Sequence, residues 1–194
     1  MRITAGNLKN KEVLAKKKTH IKPTSSRVRE AIFNLLNHGK FLSNLEILND
    51  ENPSIIENRV IADIFCGTGI LGFEALSRGA KKVVFIDQSP ESLQIARSNA
   101  NSLGVSEKCN FIQSDATNLI NCNIEIDLVF LDPPYNKNLV IPTLKSIVKN
   151  NWIKKGGLVM AEHGKLDKIE EISGLSLIDN REYNNTRLAF FKAI

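Results

Sequence analysis

Asp132-Pro133-Pro134-Tyr135 follows directly on the largely apolar run Ile126-Asp127-Leu128-Val129-Phe130-Leu131. Such a run reads as a buried strand of a parallel sheet, covered on both faces. Two prolines in succession cannot extend it, because each lacks an N–H and fixes its own φ. The residue before a proline is driven to extended geometry as well. The chain therefore stops at the carboxyl end of a strand, where open α/β sheets hold their ligands. A carboxylate, rigid carbonyls and an aromatic ring are left at that point. Together they suit a planar amine: Asp132 and the Pro133 carbonyl accept its two hydrogens, and Tyr135 stacks on its face. The plainer alternative is a Pro-Pro turn with Tyr135 as packing. As a stacking surface alone, Phe would serve at 135 nearly as well as Tyr.

A second group lies earlier, in Asp63-Ile64-Phe65-Cys66-Gly67-Thr68-Gly69-Ile70-Leu71-Gly72. Gly67, Gly69 and Gly72 match the G-x-G-x-x-G spacing of dinucleotide loops. Asp63 argues against a pyrophosphate there, since its charge repels phosphate and suits a cationic ammonium or sulfonium ligand. It could equally be a structural carboxylate bonding the N–H groups of its own loop. Asp87 lies 18 residues after Gly69, where an acid accepts the two ribose hydroxyl hydrogens of an adenosine ligand. In Ser114-Asp115-Ala116, Asp115 could accept from an adenine amine or cap a turn.

These acids fall at regular places in a larger pattern. From Val60 the sequence alternates strand and helix: strands over 60–65, 82–86, 110–113, 126–131 and 157–161, helices over 70–78, 90–103 and 138–150. A short helix is expected near 165–171, and two closing strands near 175–183 and 187–192. This order predicts an α/β fold: a doubly wound, Rossmann-like, seven-stranded and mostly parallel sheet with an antiparallel edge hairpin. Asp63, Asp87, Asp115 and Asp132 then close four strands at one edge. Residues 1–15 predict a small hairpin, and Val28, Ala31, Ile32, Leu35 and Leu36 the apolar stripe of a helix. Arg27 and Arg29 lie off that stripe, available to a ligand or solvent, or to brace the helix against the sheet domain. Residues 41–58 read as a polar linker, so the chain divides into an N-terminal extension, 1–58, and a sheet domain, 59–194.

Charge follows the same division. Residues 1–40 carry ten Lys/Arg against two acids, a net +8, and the remainder carries sixteen against nineteen, a net −3. A basic segment of this density fits a polyanion, most simply nucleic acid, with a solubilising arm as the alternative. Lys16, Lys17, Lys18, Lys22, Arg27 and Arg29 are the candidate contacts. The N-terminus has no signal-type apolar stretch, and no apolar run approaches the ~20 residues of a membrane span. Cys66, Cys109 and Cys122 have no paired spacing and are expected as reduced thiols in the cytoplasm. His20, His38 and His163 have no ligand spacing, so no metal is expected.

The acids with Gly67-Thr68-Gly69 and Asp132-Pro133-Pro134-Tyr135 resemble class I S-adenosylmethionine methyltransferases acting on exocyclic amines. Three further stretches are Met1-Arg2-Ile3-x-Ala5-Gly6, Pro23-Thr24-x-x-Arg27-Val28-Arg29-Glu30-Ala31-Ile32-Phe33-Asn34 and Leu71-Gly72-Phe73-Glu74-Ala75-Leu76-Ser77-Arg78-Gly79-Ala80. They resemble the bacterial small-subunit ribosomal RNA guanine-N2 methyltransferase family over nearly the whole chain. The longer 41–58 stretch and Tyr183-Asn184, where the family tends to have Tyr-Gly, depart from it. The resemblance implies methyl transfer from S-adenosylmethionine to guanine N2 in 16S rRNA, naked or within the small subunit or an assembly intermediate, with S-adenosylhomocysteine as product. It implies cofactor contacts from Asp63, Phe65, Gly67, Thr68, Gly69, Asp87, Gln88, Asp115, Ala116 and Asp132. Asp132, Pro133, Pro134 and Tyr135 become the catalytic turn of a cytoplasmic monomer. Alternatives are an adenine-N6 methyltransferase, an NAD-dependent oxidoreductase and a non-catalytic RNA-binding assembly factor.

Overall fold

The computed structural model describes residues 1–15, 26–37, 54–135, 137–165, 167, 169–183 and 186–194, the side chains of Ser26 and Arg27 excepted. Seven strands form one sheet: β1 (Val60–Ile64), β2 (Lys82–Asp87), β3 (Cys109–Gln113), β4 (Leu128–Leu131), β5 (Leu158–Gly164), β6 (Leu175–Tyr183) and β7 (Thr186–Ala193). Their order is β3-β2-β1-β4-β5-β7-β6. The first five are mutually parallel, and β7 pairs antiparallel with β5 and with β6. The expected doubly wound sheet with an antiparallel edge is therefore the one formed. Strand order reverses between β1 and β4, which is where such sheets open a ligand crevice.

The helices are α1 (Ser26–Asn37), α2 (Ile70–Ser77), α3 (Pro90–Leu103) and α4 (Val140–Lys149). Every residue of α2 is buried, its polar Glu74 and Ser77 included. A helix enclosed all round needs cover on both sides. The sheet supplies one side and the N-terminal segment the other. Asn7 N–H donates to the Ser77 carbonyl at 2.8 Å, and Leu8 N–H to Ser77 Oγ at 2.8 Å. Gly6 is required at this contact: its φ is +79°, and a Cβ there would lie 1.9 Å from the Ser77 carbonyl oxygen. The expected hairpin forms around an antiparallel bridge between Arg2 and Glu12, with Ile3 N–H donating to the Lys11 carbonyl at 3.1 Å and Val13 N–H to the Met1 carbonyl at 2.7 Å. Ile3, Leu8 and Val13 share one apolar cluster with Phe85, Phe130 and Phe190 of the sheet.

Three expectations change. The buried stripe of α1 is Arg29, Ile32, Phe33 and Leu36, with Val28, Ala31 and Leu35 half-buried. It is rotated by one residue from the predicted face, because an arginine is drawn inward. Residues 41–53 of the expected linker lie outside the described residues, and within 54–58 the chain is already packed: Ile55 and Ile56 are buried and Asn58 N–H donates to the Gly79 carbonyl at 2.9 Å. No described residue within 165–171 is helical. Asp167 turns the chain instead: its carboxylate accepts from Gly164 N–H at 2.8 Å and its N–H donates to the Gly164 carbonyl. Such local bonds compete with helix formation.

Candidate active site

The four acids stand where the alternation put them. Asp63 and Asp87 are in the last two positions of β1 and β2, Asp115 follows β3, and Asp132 follows β4. In-register pairing of Ile64 with Leu131 sets the glycine turn beside the Asp-Pro-Pro-Tyr turn, and Asp132 N–H points to the Ile64 carbonyl at 3.4 Å. The two motifs thus face one crevice at the switch point.

Phe65 leaves β1 with φ +61°, and Gly67 and Gly69 follow at +53° and +81°. The glycines divide in purpose. A Cβ at Gly69 would fall 2.6 Å from the Phe73 ring, and one at Gly72 2.3 Å from the Phe85 ring. Those two let the turn and helix close on the aromatic pair Phe73–Phe85. At Gly67 the nearest atom would be the Phe65 carbonyl oxygen at 4.0 Å, so this is the position open to a ligand. Asp87 braces the turn by accepting from Gly67 N–H at 2.9 Å and Ser89 N–H at 2.8 Å. Asn99, buried on α3, donates to the Thr68 carbonyl at 3.0 Å and also binds both backbone groups of Leu14.

Asp63 is 2% exposed and accepts from Gly72 N–H at 2.9 Å. The structural alternative the sequence left open is thus part of its role. Burial holds its pKa well above the ordinary carboxylate range, the Gly72 bond opposes that rise, and the charges of Asp132 and Asp87 add to it. The Asp87 and Asp132 carboxylates flank Asp63 at this end of the sheet, an acidic setting that suits a cationic ligand better than a pyrophosphate. Cys66 is buried beside them, its thiol pushed up first by burial and then by Asp63 and Asp87, so it is a packing residue.

Gln88 is exposed, and its carbonyl accepts from the Gln113 side chain at 3.3 Å. Asp115 is exposed and caps the 3-10 turn Ala116–Asn118, its Oδ1 accepting from the N–H and hydroxyl of Thr117 at 2.8 Å each. Ala116 is buried below it. Pro133 is buried, Pro134 half-buried and Tyr135 41% exposed. The Tyr135 hydroxyl turns inward to Glu162 and to Thr186 Oγ1, the latter at 2.8 Å. Sequence reasoning missed Glu162 and Thr186. A signal existed for the first: Glu162 is the one acid in Leu158–Gly164, a strand end like those of the other acids.

Of the basic set, Lys16, Lys17, Lys18 and Lys22 lie outside the described residues, and only the backbone of Arg27 is described. Arg29 is corrected. It is 2% exposed, donates through Nη2 to the Arg2 carbonyl at 2.9 Å, and lies 3.7 Å from Glu74. It braces α1 against α2 and offers no surface to a polyanion. Among the described residues no group of three or more His, Cys, Asp or Glu could hold a metal, and no helix is long and apolar enough to cross a membrane.

A glycine turn and an Asp-Pro-Pro-Tyr turn sharing an electronegative crevice on this sheet define the class of Rossmann-like, S-adenosylmethionine-dependent methyltransferases. Comparison with known proteins narrows it. Residues 1–192 match the family described as Conserved hypothetical protein 95, and the chain belongs to that family. Among relatives, ribosomal RNA small subunit methyltransferase D of Haemophilus influenzae is 31% identical over 85% of this chain and 79% of its own. An uncharacterised methylase of Rickettsia prowazekii is 30% identical over 97% and 95%. A solved H. influenzae structure described as a methylase superposes with TM-score 0.76 at 25% identity, covering 100% of this chain and 98% of that one.

Proposed function

We propose that this chain methylates the exocyclic N2 amine of a guanine in 16S ribosomal RNA. The observation that carries the reading is the Asp132-Pro133-Pro134-Tyr135 turn, held in register beside the glycine turn with an exposed aromatic ring at its end. The small-subunit rRNA methyltransferase of H. influenzae supports the RNA substrate.

Gly67, Asp87 and Asp115 would hold S-adenosylmethionine, which would supply an electrophilic methyl group there. Phe65, Thr68, Gln88 and Ala116, on the turns beside these residues, would complete that cofactor site. The residues of this chain act on the base. Guanine N2 is a weak nucleophile because its lone pair is delocalised into the ring. Asp132 and the Pro133 carbonyl accept its two hydrogens and localise that pair toward the methyl group. Tyr135 stacks on the base and fixes the in-line angle, so positioning lowers the barrier. The proton displaced from N2 passes to Asp132 or to water. A base inside a helix cannot reach this turn and must first be unstacked.

The test is tritiated methyl transfer to small-subunit RNA or particles from a methylation-deficient strain, followed by nucleoside analysis. The label should appear in N2-methylguanosine. In N6-methyladenosine it would establish the adenine alternative, and its absence from all RNA would remove the reading. Asp132→Ala should lower transfer by about two orders of magnitude or more while S-adenosylhomocysteine affinity stays within a few-fold, because its contact belongs to the transition state. Near-normal turnover in that variant would take Asp132 out of the mechanism.

A further inference from the structure

The Tyr135 ring is fixed at both ends. Its backbone follows two prolines, whose φ angles are locked by their rings. Its far end, the hydroxyl, donates to Glu162 Oε1 and lies 2.8 Å from Thr186 Oγ1, which itself bonds Glu162 Oε1 at 3.0 Å. The ring between these anchors is 41% exposed, whereas Glu162 is 2% and Thr186 6% exposed. Thr186 opens β7 opposite Gly164 of β5, so the antiparallel edge of the sheet delivers the second anchor. Burial, and then the bond to Glu162, push the phenol up, so it remains a donor throughout the working pH range.

Stability alone does not account for Glu162. Both hydroxyls converge on its Oε1, and among the described residues its Oε2 is buried with no hydrogen-bond partner. A buried carboxylate oxygen left without a donor lowers stability. An exposed ring held by an unfavourable buried acid fits a surface whose angle matters more than the energy of its anchor.

We propose that Glu162, assisted by Thr186, is a positioning residue for methyl transfer: through the Tyr135 hydroxyl it holds the ring at the angle on which the target base stacks. The proposal rests on Tyr135 being the stacking platform of the function given above. It assigns the hydroxyl a task that a phenylalanine could not perform.

The test compares wild type, Glu162→Leu, Glu162→Gln, Thr186→Val, Tyr135→Phe and the double variant Tyr135→Phe with Glu162→Leu. Each is assayed for kcat and KM on RNA, S-adenosylhomocysteine affinity and melting temperature. Glu162→Leu and Tyr135→Phe should each lower kcat on the order of 10- to 100-fold, the scale of a misplacement near 1 Å. KM and cofactor affinity should stay within about threefold of wild type. Glu162→Gln should recover part of the loss, since its amide oxygen still accepts from the phenol. The double variant should fall no further than either single one, because both remove the same contact. Glu162→Leu also leaves the Tyr135 and Thr186 hydroxyls without their acceptor, so across the set the losses of kcat should not follow the order of melting temperatures. Wild-type kcat in Glu162→Leu, multiplying losses in the double variant, or a loss of kcat that tracks a fall in melting temperature would each overturn the proposal. If Glu162→Leu fails to fold, Thr186→Val and its pair with Tyr135→Phe carry the same cycle. The nucleoside formed by wild type judges the guanine-N2 reading separately: an adenine product refutes that reading and leaves the cycle interpretable.

Discussion

Replacing Glu74 with Ala should be among the most damaging single changes outside the crevice, and its size follows from what converges there. Glu74 is fully buried on α2. Its carboxylate accepts from Thr4 N–H at 2.9 Å, Thr4 Oγ1 at 2.6 Å, Ala5 N–H at 3.1 Å and Arg78 Nε and Nη2 at 3.0 and 2.9 Å. Arg29 Nε lies 3.7 Å away, and Arg78 stacks over the Phe33 ring at 4.6 Å. Burial lowers the Arg29 pKa and Glu74 is the largest opposing influence, so the arginine depends on this acid. Alanine would strand a buried cation and two backbone N–H donors at once. Removing one member of a buried pair costs about 3–5 kcal/mol. For a chain of this size each kcal/mol shifts the melting temperature by about 2–4 °C, so the expected fall is roughly 6–20 °C. Urea unfolding and calorimetry measure it directly. Glu74→Gln, which keeps acceptors for Thr4 and Ala5 but loses the charge, should fall between alanine and wild type. A Glu74→Ala protein melting within about 2 °C of wild type would refute the claim that this carboxylate ties the N-terminal segment, α1 and α2 together.

Three further outcomes are expected. Asp87→Ala should weaken S-adenosylhomocysteine binding in calorimetry by about 1–3 kcal/mol, since a charged acceptor and the brace on Gly67 are both lost; unchanged affinity would detach Asp87 from the cofactor. Asp63→Asn keeps an acceptor for Gly72 N–H and removes a charge that burial disfavours. Because the folded-state pKa of Asp63 is raised, its effect on stability is most favourable at low pH and turns adverse as pH rises. The variant should therefore melt no lower than wild type at neutral pH, with its relative advantage shrinking as pH falls toward about 4; a lower melt throughout would count against burial as the dominant influence. Changing Lys16, Lys17 and Lys18 together to Ala should weaken RNA binding, leave S-adenosylhomocysteine binding intact and flatten the log–log salt dependence by somewhat under one unit per lost contact. RNA binding equal to wild type from low to physiological salt would make the basic segment a solubilising arm.

The sheet was legible because its signals are local. Apolar runs closed by glycine or proline locate β1, β2, β4 and β5, and Pro90 and Gly104 bracket α3 with φ +71° at the glycine. Alternation of strand and helix then fixes topology with little ambiguity. The four acids were legible for the same reason, since a strand end is visible in sequence and the carboxyl edge of a parallel sheet is one place. The 165–171 stretch misled because a helical pattern was weighed without the Asp167 side chain, which offers Gly164 N–H a nearer partner.

What the sequence hid is non-local. Arg29 lay off the apolar stripe by type, yet a buried acid 45 residues later on another helix draws it inside and turns α1 by one position. Nothing within α1 announces Glu74. The glycine spacing also read as one ligand-binding feature, although two of its three glycines make room for Phe73 and Phe85 and only Gly67 faces open space. The Tyr135 hydroxyl is the sharpest case. In sequence it is interchangeable with hydrogen on an aromatic platform. Only the pairing of β5 with β7, across 24 residues, puts Glu162 and Thr186 at one point and gives that oxygen two partners. The edge hairpin, read from sequence as the closing piece of a sheet, therefore also supplies a partner to the Tyr135 hydroxyl.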